Sequence, residues 1–434
     1  MAADARTAAA AIWRAALAAG DVAPLLRRHV QVDDHTLTAG ALRLDLDRVE
    51  RVLVLGAGKA SGAMAATVET LLGARAREGF VVVKDGYRVP TARIELAEAG
   101  HPVPDARGLA ASARLLALAA SATAADLIVF LVSGGGSSLT PAPAPPVTLE
   151  EKQALTRLLL GAGATINELN AVRKHLSRFK GGLLARAAWP TRVLTLALSD
   201  VIGDPLDVIA SGPTAPDPST YADALAVLER RGVLSPAPKA IVERLRAGVA
   251  GALPETPKPG DEVFARVTNV VIGNNALVVE AAAAEAERLG YRPHVVTRSL
   301  QGEAREVARE LVARARALPG PTALIAGGET TVTVRGGGRG GRCQEFALAA
   351  ALQLEADDTL VVLGAGTDGT DGPTDAAGGL VDAATVARAR AAGVEAARAL
   401  ADNDAHAFLT AAGSCVTTGP TNTNLLDLYL ILRP

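Results

Sequence analysis

Arg51-Val52-Leu53-Val54-Leu55-Gly56-Ala57-Gly58-Lys59-Ala60-Ser61-Gly62 begins as an aliphatic run, turns on glycines and leads into an alanine-rich segment of helical character. An apolar, β-branched run that stops at glycine and gives way to a helix is one leg of a β-α-β crossover. The order recurs along the chain, predicting strands over 51–55, 80–84, 127–132 and 193–198 and helices over 62–72, 107–120, 149–160 and 178–187. A proline-rich stretch over 234–261 then interrupts the pattern. It resumes with strands over 267–272, 292–296, 323–326 and 359–363, an added alternating strand over 330–335, and helices over 276–289, 303–318, 344–354 and 382–391. Repeated units of this kind predict an α/β fold in two domains. The expected division is an N-terminal α/β domain with a mostly parallel sheet over 1–260 and a C-terminal α/β domain over 261–434. The apolar tail over 415–432 reads as an ordered strand that either domain could take up.

Composition removes several function classes. At 434 residues the chain is too long for one ordinary domain, which averages roughly 150 residues. With 44 basic and 46 acidic residues the formal net charge is −2, and only 3 % of residues are aromatic. Neither an electrostatic footprint for nucleic acid nor a set of stacking platforms is present, so an anion has to be gripped locally. Two cysteines make neither a disulfide framework nor a zinc site, and a reducing cytoplasm is the expected compartment. The longest uncharged stretch, 127–149, contains three consecutive glycines and four prolines, so no membrane span is expected.

In open α/β sheets ligands bind beyond the carboxyl ends of the strands, and four glycine-rich strand ends stand out. At the first, Gly56 and Gly58 open the turn and Lys59 stands at a helix N-terminus, where a cation opposes the helix dipole unless an anion compensates it. The spacing, G-x-G-x-x-x-G, is one residue off a dinucleotide fingerprint, and Ala60 rules out a Walker A loop. A tight turn carrying a surface lysine is the plain alternative. At the second, Ser133, Gly134, Gly135, Gly136 and Ser137 form a candidate backbone nest for phosphate oxygens, or else a linker. The third places Asp200 directly after a strand, as a general base, a metal ligand or a turn residue. The fourth combines Glu329, a glycine-arginine run ending at Arg342, and a loop with Asp368 and Asp371, which could bind a divalent cation or cap turns. The locally basic segment with Arg173 and Lys174 reads as an anion clamp or as a solvated helix face.

Taken in order, these motifs resemble the class II glycerate 2-kinases, whose C-terminal half is the MOFRL domain. The resemblance runs from Gly56-Ala57-Gly58-Lys59-Ala60 and Gly100-His101-Pro102-Val103-Pro104-Asp105, through Ser133-Gly134-Gly135-Gly136-Ser137, Val172-Arg173-Lys174-His175 and Ser211-Gly212-Pro213-Thr214. It continues through Gly327-Gly328-Glu329-Thr330-Thr331 and Gly366-Thr367-Asp368-Gly369-Thr370-Asp371-Gly372 to Thr418-Gly419-Pro420-Thr421-Asn422-Thr423-Asn424. It implies ATP- and Mg2+-dependent phosphorylation of D-glycerate at the 2-hydroxyl, in a cleft between a Rossmann-like N-terminal domain and the C-terminal MOFRL-type domain. Lys59 and Arg342 would be the principal catalytic cations; the strand-end position of Asp200 makes it the candidate to orient or deprotonate the hydroxyl. Gly56, Gly58, the 133–137 nest, Arg173, Lys174, Glu329, Asn422 and Asn424 would bind substrates, and Asp200, Glu329, Asp368 or Asp371 would support the metal. The partners implied are D-glycerate and ATP, and a homodimer is compatible with the sequence. A hydroxypyruvate reductase using NAD(P)H and a non-catalytic nucleotide- or sugar-phosphate-binding module are the rival readings.

Overall fold

A computed structural model describes residues 4–434 and divides the chain into two compact units. One comprises Val22–Ser199 and Asp204–Ile272; the other comprises the described residues up to Asp21, Asp200–Gly203 and Gly273–Pro434. These differ from the contiguous blocks 1–260 and 261–434 expected above. The strand over 267–273 completes the first unit's sheet, while the helix Ala5–Ala19 buries Ala8, Ile12, Trp13 and Ala16 in the second unit, against the helix Asn275–Arg288. The Pro-rich stretch therefore lies inside the first unit.

The first unit starts with a small antiparallel sheet of β1 (Val30–Val32), β2 (Thr36–Ala39) and β3 (Leu42–Asp45). Its main sheet holds β4 (Val52–Ala57), β5 (Ala76–Lys84), β6 (Ile94–Ala99), β7 (Leu127–Val132), β8 (Arg192–Leu198) and β9 (Val267–Gly273), in the order β6-β5-β4-β7-β8-β9. The pairs from β6 to β8 are all parallel. β4 and β7 are buried at every residue, as expected of strands covered on both faces. Chain order runs outward from β4 in both directions, so the switch point falls between β4 and β7, where the first two glycine turns emerge.

The second unit's sheet holds β10 (Arg292–Leu300), β11 (Thr322–Gly328), β12 (Val361–Gly366), β13 (Gly378–Asp382), β14 (Cys415–Val416) and β15 (Asp427–Arg433). The order is β10-β11-β15-β12-β13-β14, and only β10 and β11 pair in parallel. The C-terminal strand is thus the central antiparallel member of this sheet, with Leu428, Leu430 and Leu432 buried.

Two expected elements fail locally. The helix expected over 178–187 is replaced by Ile166–His175 and Leu183–Ala188. A capping box between Thr165 and Glu168 starts the first, and Gly181 and Gly182, at φ +58° and +79°, separate the second. The strand expected over 330–335 forms a single bridge, from Thr331 to Glu303. Its amides go to side chains instead: Thr333 donates to the Glu303 carboxylate and Arg335 to Asn403 Oδ1. No single described helix is long and apolar enough to cross a membrane.

Candidate active site

At the switch point the two glycine turns are fastened together. Gly58 has φ +148°, and a Cβ on it would lie 2.1 Å from Ser133 Oγ, so only glycine allows this approach. The amides of the turn are consumed internally: Gly58 donates to Val82 O at 3.0 Å, Lys59 to Gly134 O at 2.9 Å and Ala60 to Ser133 Oγ at 3.0 Å. Gly56 and Gly58 thus allow close packing of the two turns, with the Gly58, Lys59 and Ala60 amides already engaged at the entry to the helix Ser61–Leu72. The half-buried Lys59 side chain passes beside Gly135, whose Cβ position would be 3.4 Å from Lys59 Cγ and 3.0 Å from the His101 ring. Lys59, His101 and Gly135 thus meet at the carboxyl ends of β4 and β7.

A second support holds Ser137. Its hydroxyl lies 3.0 Å from Ser211 Oγ, which donates to Asn170 Oδ1 at 2.9 Å. Ala210 and Ser211 have φ of +49° and +63°, strained values for residues with side chains, in a loop tied back to the glycine turn. In the basic segment the two candidates part company. Lys174 is buried and paired with Asp207 at 3.0 Å and Asp217 at 3.2 Å, so its charge is spent inside the unit. Arg173 is half-buried, and burial lowers its pKa.

In the second unit, Arg342 opens the helix Arg342–Ala351. Its Nε and Nη2 grip the two carboxylate oxygens of buried Asp427 at 2.5 and 2.9 Å, and its Nη1 lies 3.0 Å from Glu329 Oε1. Burial works against the guanidinium charge, but Asp427 and then Glu329 outweigh it and raise the pKa. Tyr429 donates to Asp427 Oδ2 at 3.0 Å, which fixes the carboxylate from behind. Asp371 accepts the Gln344 amide at 2.8 Å and so caps this helix, while burial pushes its carboxyl up to about 6. Asp200 accepts from Asn424 Nδ2 at 3.0 Å, and Asp368 accepts the Thr370 amide at 3.1 Å. Asn422 has φ +57°, a value asparagine tolerates better than most residues. The glycine-arginine run is pinned rather than loose: Gly337 and Gly338 donate to Asp402, and Arg339 donates to Asp404.

Residues 8–246 match the family model described as a domain of unknown function (DUF4147), and residues 322–427 match the MOFRL family. A D-glycerate 2-kinase from Thermotoga maritima is 44 % identical over 396 residues, covering 89 % of this chain and 91 % of its own. The crystal structure of a glycerate kinase from Thermotoga maritima matches with a TM-score of 0.83 at 40 % identity, covering 99 % of each chain. The chain belongs to the glycerate kinase family. A relative from Agrobacterium vitis that carries the provisional name hydroxypyruvate reductase is also 44 % identical, over 391 residues, covering 88 % of this chain and 87 % of its own.

In this member of the glycerate kinase family each unit brings its own candidate residues together. Lys59, Ser133, Gly134, Gly135, Gly136 and Ser137 come together in the first unit. In the second, Arg342 and Glu329 pair, and Asp200 pairs with Asn424. Among the described residues no three His, Cys, Asp or Glu converge to hold a metal ion. A protein-built magnesium cage does not fit these residues. Sequence reasoning missed Asp427, whose buried, C-terminal position gave no charge pattern to notice, and the Asn170–Ser211–Ser137 chain. It also missed Lys152, which resembles an ordinary surface lysine in the sequence, and read Lys180 only as part of the basic segment.

Proposed function

We propose that this chain transfers the γ-phosphoryl group of ATP to the 2-hydroxyl of D-glycerate, giving 2-phosphoglycerate and ADP. The observation that carries the reading is the joint presence of Lys59 at the switch-point turn and a rigidly held Arg342, in a chain 44 % identical to a D-glycerate 2-kinase. Phosphoryl transfer asks little covalent chemistry of a protein; it asks for substrates held in line and for positive charge fixed where negative charge moves. In this reading Lys59 steadies the transferring phosphoryl oxygens. Arg342, oriented by Asp427, presents its remaining donors to a carboxylate or phosphate, a geometry that guanidinium serves better than ammonium. Asp200, held by Asn424, accepts the hydrogen bond of the 2-hydroxyl and turns it towards the phosphorus. A magnesium ion carried by the nucleotide would supply charge neutralisation of the phosphates, without needing a dedicated cage of protein ligands.

The reductase reading needs backbone amides facing a dinucleotide pyrophosphate. Here the amides of Gly58, Lys59 and Ala60 are spent on Val82, Gly134 and Ser133, which favours the kinase. Phosphorus NMR of the purified protein with ATP, magnesium and D-glycerate tests the assignment, beside a tube lacking glycerate. A glycerate-dependent 2-phosphoglycerate resonance is expected. A 3-phosphoglycerate signal would move the position of attack, and silence together with NADH-dependent reduction of hydroxypyruvate would replace the kinase by the reductase.

A further inference from the structure

The first unit contains a cavity of about 440 Å³ beside the glycine turn, and its walls divide by character. Lys152, Arg173 and Lys180 supply three sheltered cations, with exposed Arg157 beside them, whereas Pro102, Val103 and Leu160 supply an apolar flank. Along the helix Leu149–Gly161 the lining residues Leu149, Lys152, Thr156 and Leu160 fall three or four apart, so one helix stripe forms a whole wall.

The cations lack counter-charges. Lys180 is buried and donates to the carbonyls of Ser137 at 2.6 Å and Thr140 at 3.2 Å, and Lys152 donates to Pro141 O at 2.7 Å. Among the described residues none of the three is paired with a carboxylate. Burial, with repulsion from Arg173 and Arg244, brings Lys152 down to about 7, and burial with repulsion from Lys152 and Arg173 lowers Lys180 as well. Gathering three cations out of water without an acid among them is costly, and a bound anion removes the cost. At the other side Leu160 is 56 % and Val103 62 % exposed, apolar surface left open at the cavity rim. Such a space is too large and too apolar for a three-carbon hydroxy acid; it suits a ligand with a flat apolar body and a polyanionic tail.

We propose that this cavity is the nucleotide site, with the base against Pro102, Val103 and Leu160 and the phosphates running over Lys152, Arg173 and Lys180 towards Gly135. Gly135 lines the cavity and adjoins Lys59, so a triphosphate laid this way brings its last phosphorus to the lysine assigned to transfer. The assignment of the ligand rests on the kinase reading, and its test separates the two.

The test is calorimetric titration of the full chain with MgATP and with magnesium tripolyphosphate, alongside steady-state KM values for ATP and D-glycerate, on wild type, Leu160→Asp and Lys152→Gln. Leu160 is exposed, so its replacement leaves folding intact even if Lys152→Gln does not. Leu160→Asp is expected to weaken MgATP binding about tenfold and raise the ATP KM to match, with the glycerate KM unchanged. Tripolyphosphate should bind wild type more weakly than ATP and lose affinity in Lys152→Gln. Unchanged ATP binding and ATP KM in Leu160→Asp, in a chain that still phosphorylates glycerate, would overturn the site and leave the kinase standing. Tripolyphosphate binding as tightly as ATP would overturn the place given to the base. MgATP binding that is lost in Leu160→Asp, in a chain that transfers nothing to glycerate, would support the site and sink the kinase.

Discussion

Arg342 holds Asp427 through two parallel hydrogen bonds, Nε and Nη2 to opposite carboxylate oxygens at 2.5 and 2.9 Å, and its third nitrogen faces Glu329. The arginine proposed to act on substrate is thereby locked before any substrate arrives. Lysine keeps the charge but cannot reproduce the fork. Arg342→Lys should therefore lower kcat at least a hundredfold, the cost of removing one oriented donor from a transition state. Asp427 would be left buried with half its partners, so the melting temperature should fall too. Near-normal turnover in Arg342→Lys would show that orientation by Asp427 contributes nothing.

Lys59 contrasts with it. It is half-buried at a turn whose backbone hydrogen bonds are complete without its side chain. Lys59→Ala should cost turnover about a thousandfold while moving the melting temperature by little. A thermal melt and initial rates decide the matter; a large loss of stability with proportionate loss of activity would make Lys59 structural.

The fastening of the glycine turns predicts a sharp contrast between two glycine substitutions. A Cβ on Gly58 would meet Ser133 Oγ at 2.1 Å and Ser133 O at 2.7 Å, so Gly58→Ala has to force β4 and β7 apart at their functional ends. A loss of about 3 kcal/mol, with activity abolished, is expected. Gly86 also has a positive φ, +81°, but nothing lies within 4 Å of its Cβ position. Gly86→Ala should cost only about 1 kcal/mol and leave turnover intact. Urea unfolding of both variants checks the pair.

What was legible in the sequence was what local pattern encodes. The apolar runs of β4 and β7 read as buried strands because parallel strands covered on both faces leave no polar alternation to interpret. The helix at Ile166 carries a start signal in Thr165 and Glu168, which the expectation of a helix over 178–187 passed over. The rest depended on distant partners. Ala8, Ile12, Trp13 and Ala16 announce a buried face without saying which unit buries it. Nothing in Thr330–Arg335 shows that its amides will be taken by Glu303 and by Asn403, about seventy residues on. At the site, Lys59 and Arg342 stood out through glycine context and family resemblance. The basic segment left Lys180 open as clamp or solvated face, because burial of a lysine against carbonyls leaves no local trace.

Lys174 illustrates how a basic motif can serve the fold. Its ammonium is shared by Asp207 and by fully buried Asp217, which also accepts from Thr256 Oγ1 at 2.9 Å. Burial raises the Asp217 carboxyl, but Lys174 and then Ser219 pull it below its ordinary value. Removing the lysine strands that charge, and such losses run to about 3 kcal/mol or more. Lys174→Met should thus destabilise the protein while leaving the KM values for ATP and glycerate unchanged at temperatures where it stays folded. A selective rise in either KM would return Lys174 to the binding machinery.

Asp371 offers a pH signature in the opposite direction from most carboxylates. Burial raises it from 3.8 to about 6, and the hydrogen bond from the Gln344 amide only partly offsets this. A carboxyl that holds its proton more tightly when folded favours the native state below the unfolded value, near 4, and that advantage drains away as pH rises to about 6. The loss amounts to about 3 kcal/mol if the full shift is realised. Asparagine keeps an oxygen for the Gln344 amide and never ionises. The stability of Asp371→Asn relative to wild type should therefore climb between pH 4 and 6 and level off above, measured as urea midpoints at half-unit intervals. A difference that stays flat, or that climbs as the solution is acidified, would mean that Asp371 is ionised throughout and caps its helix as an ordinary carboxylate.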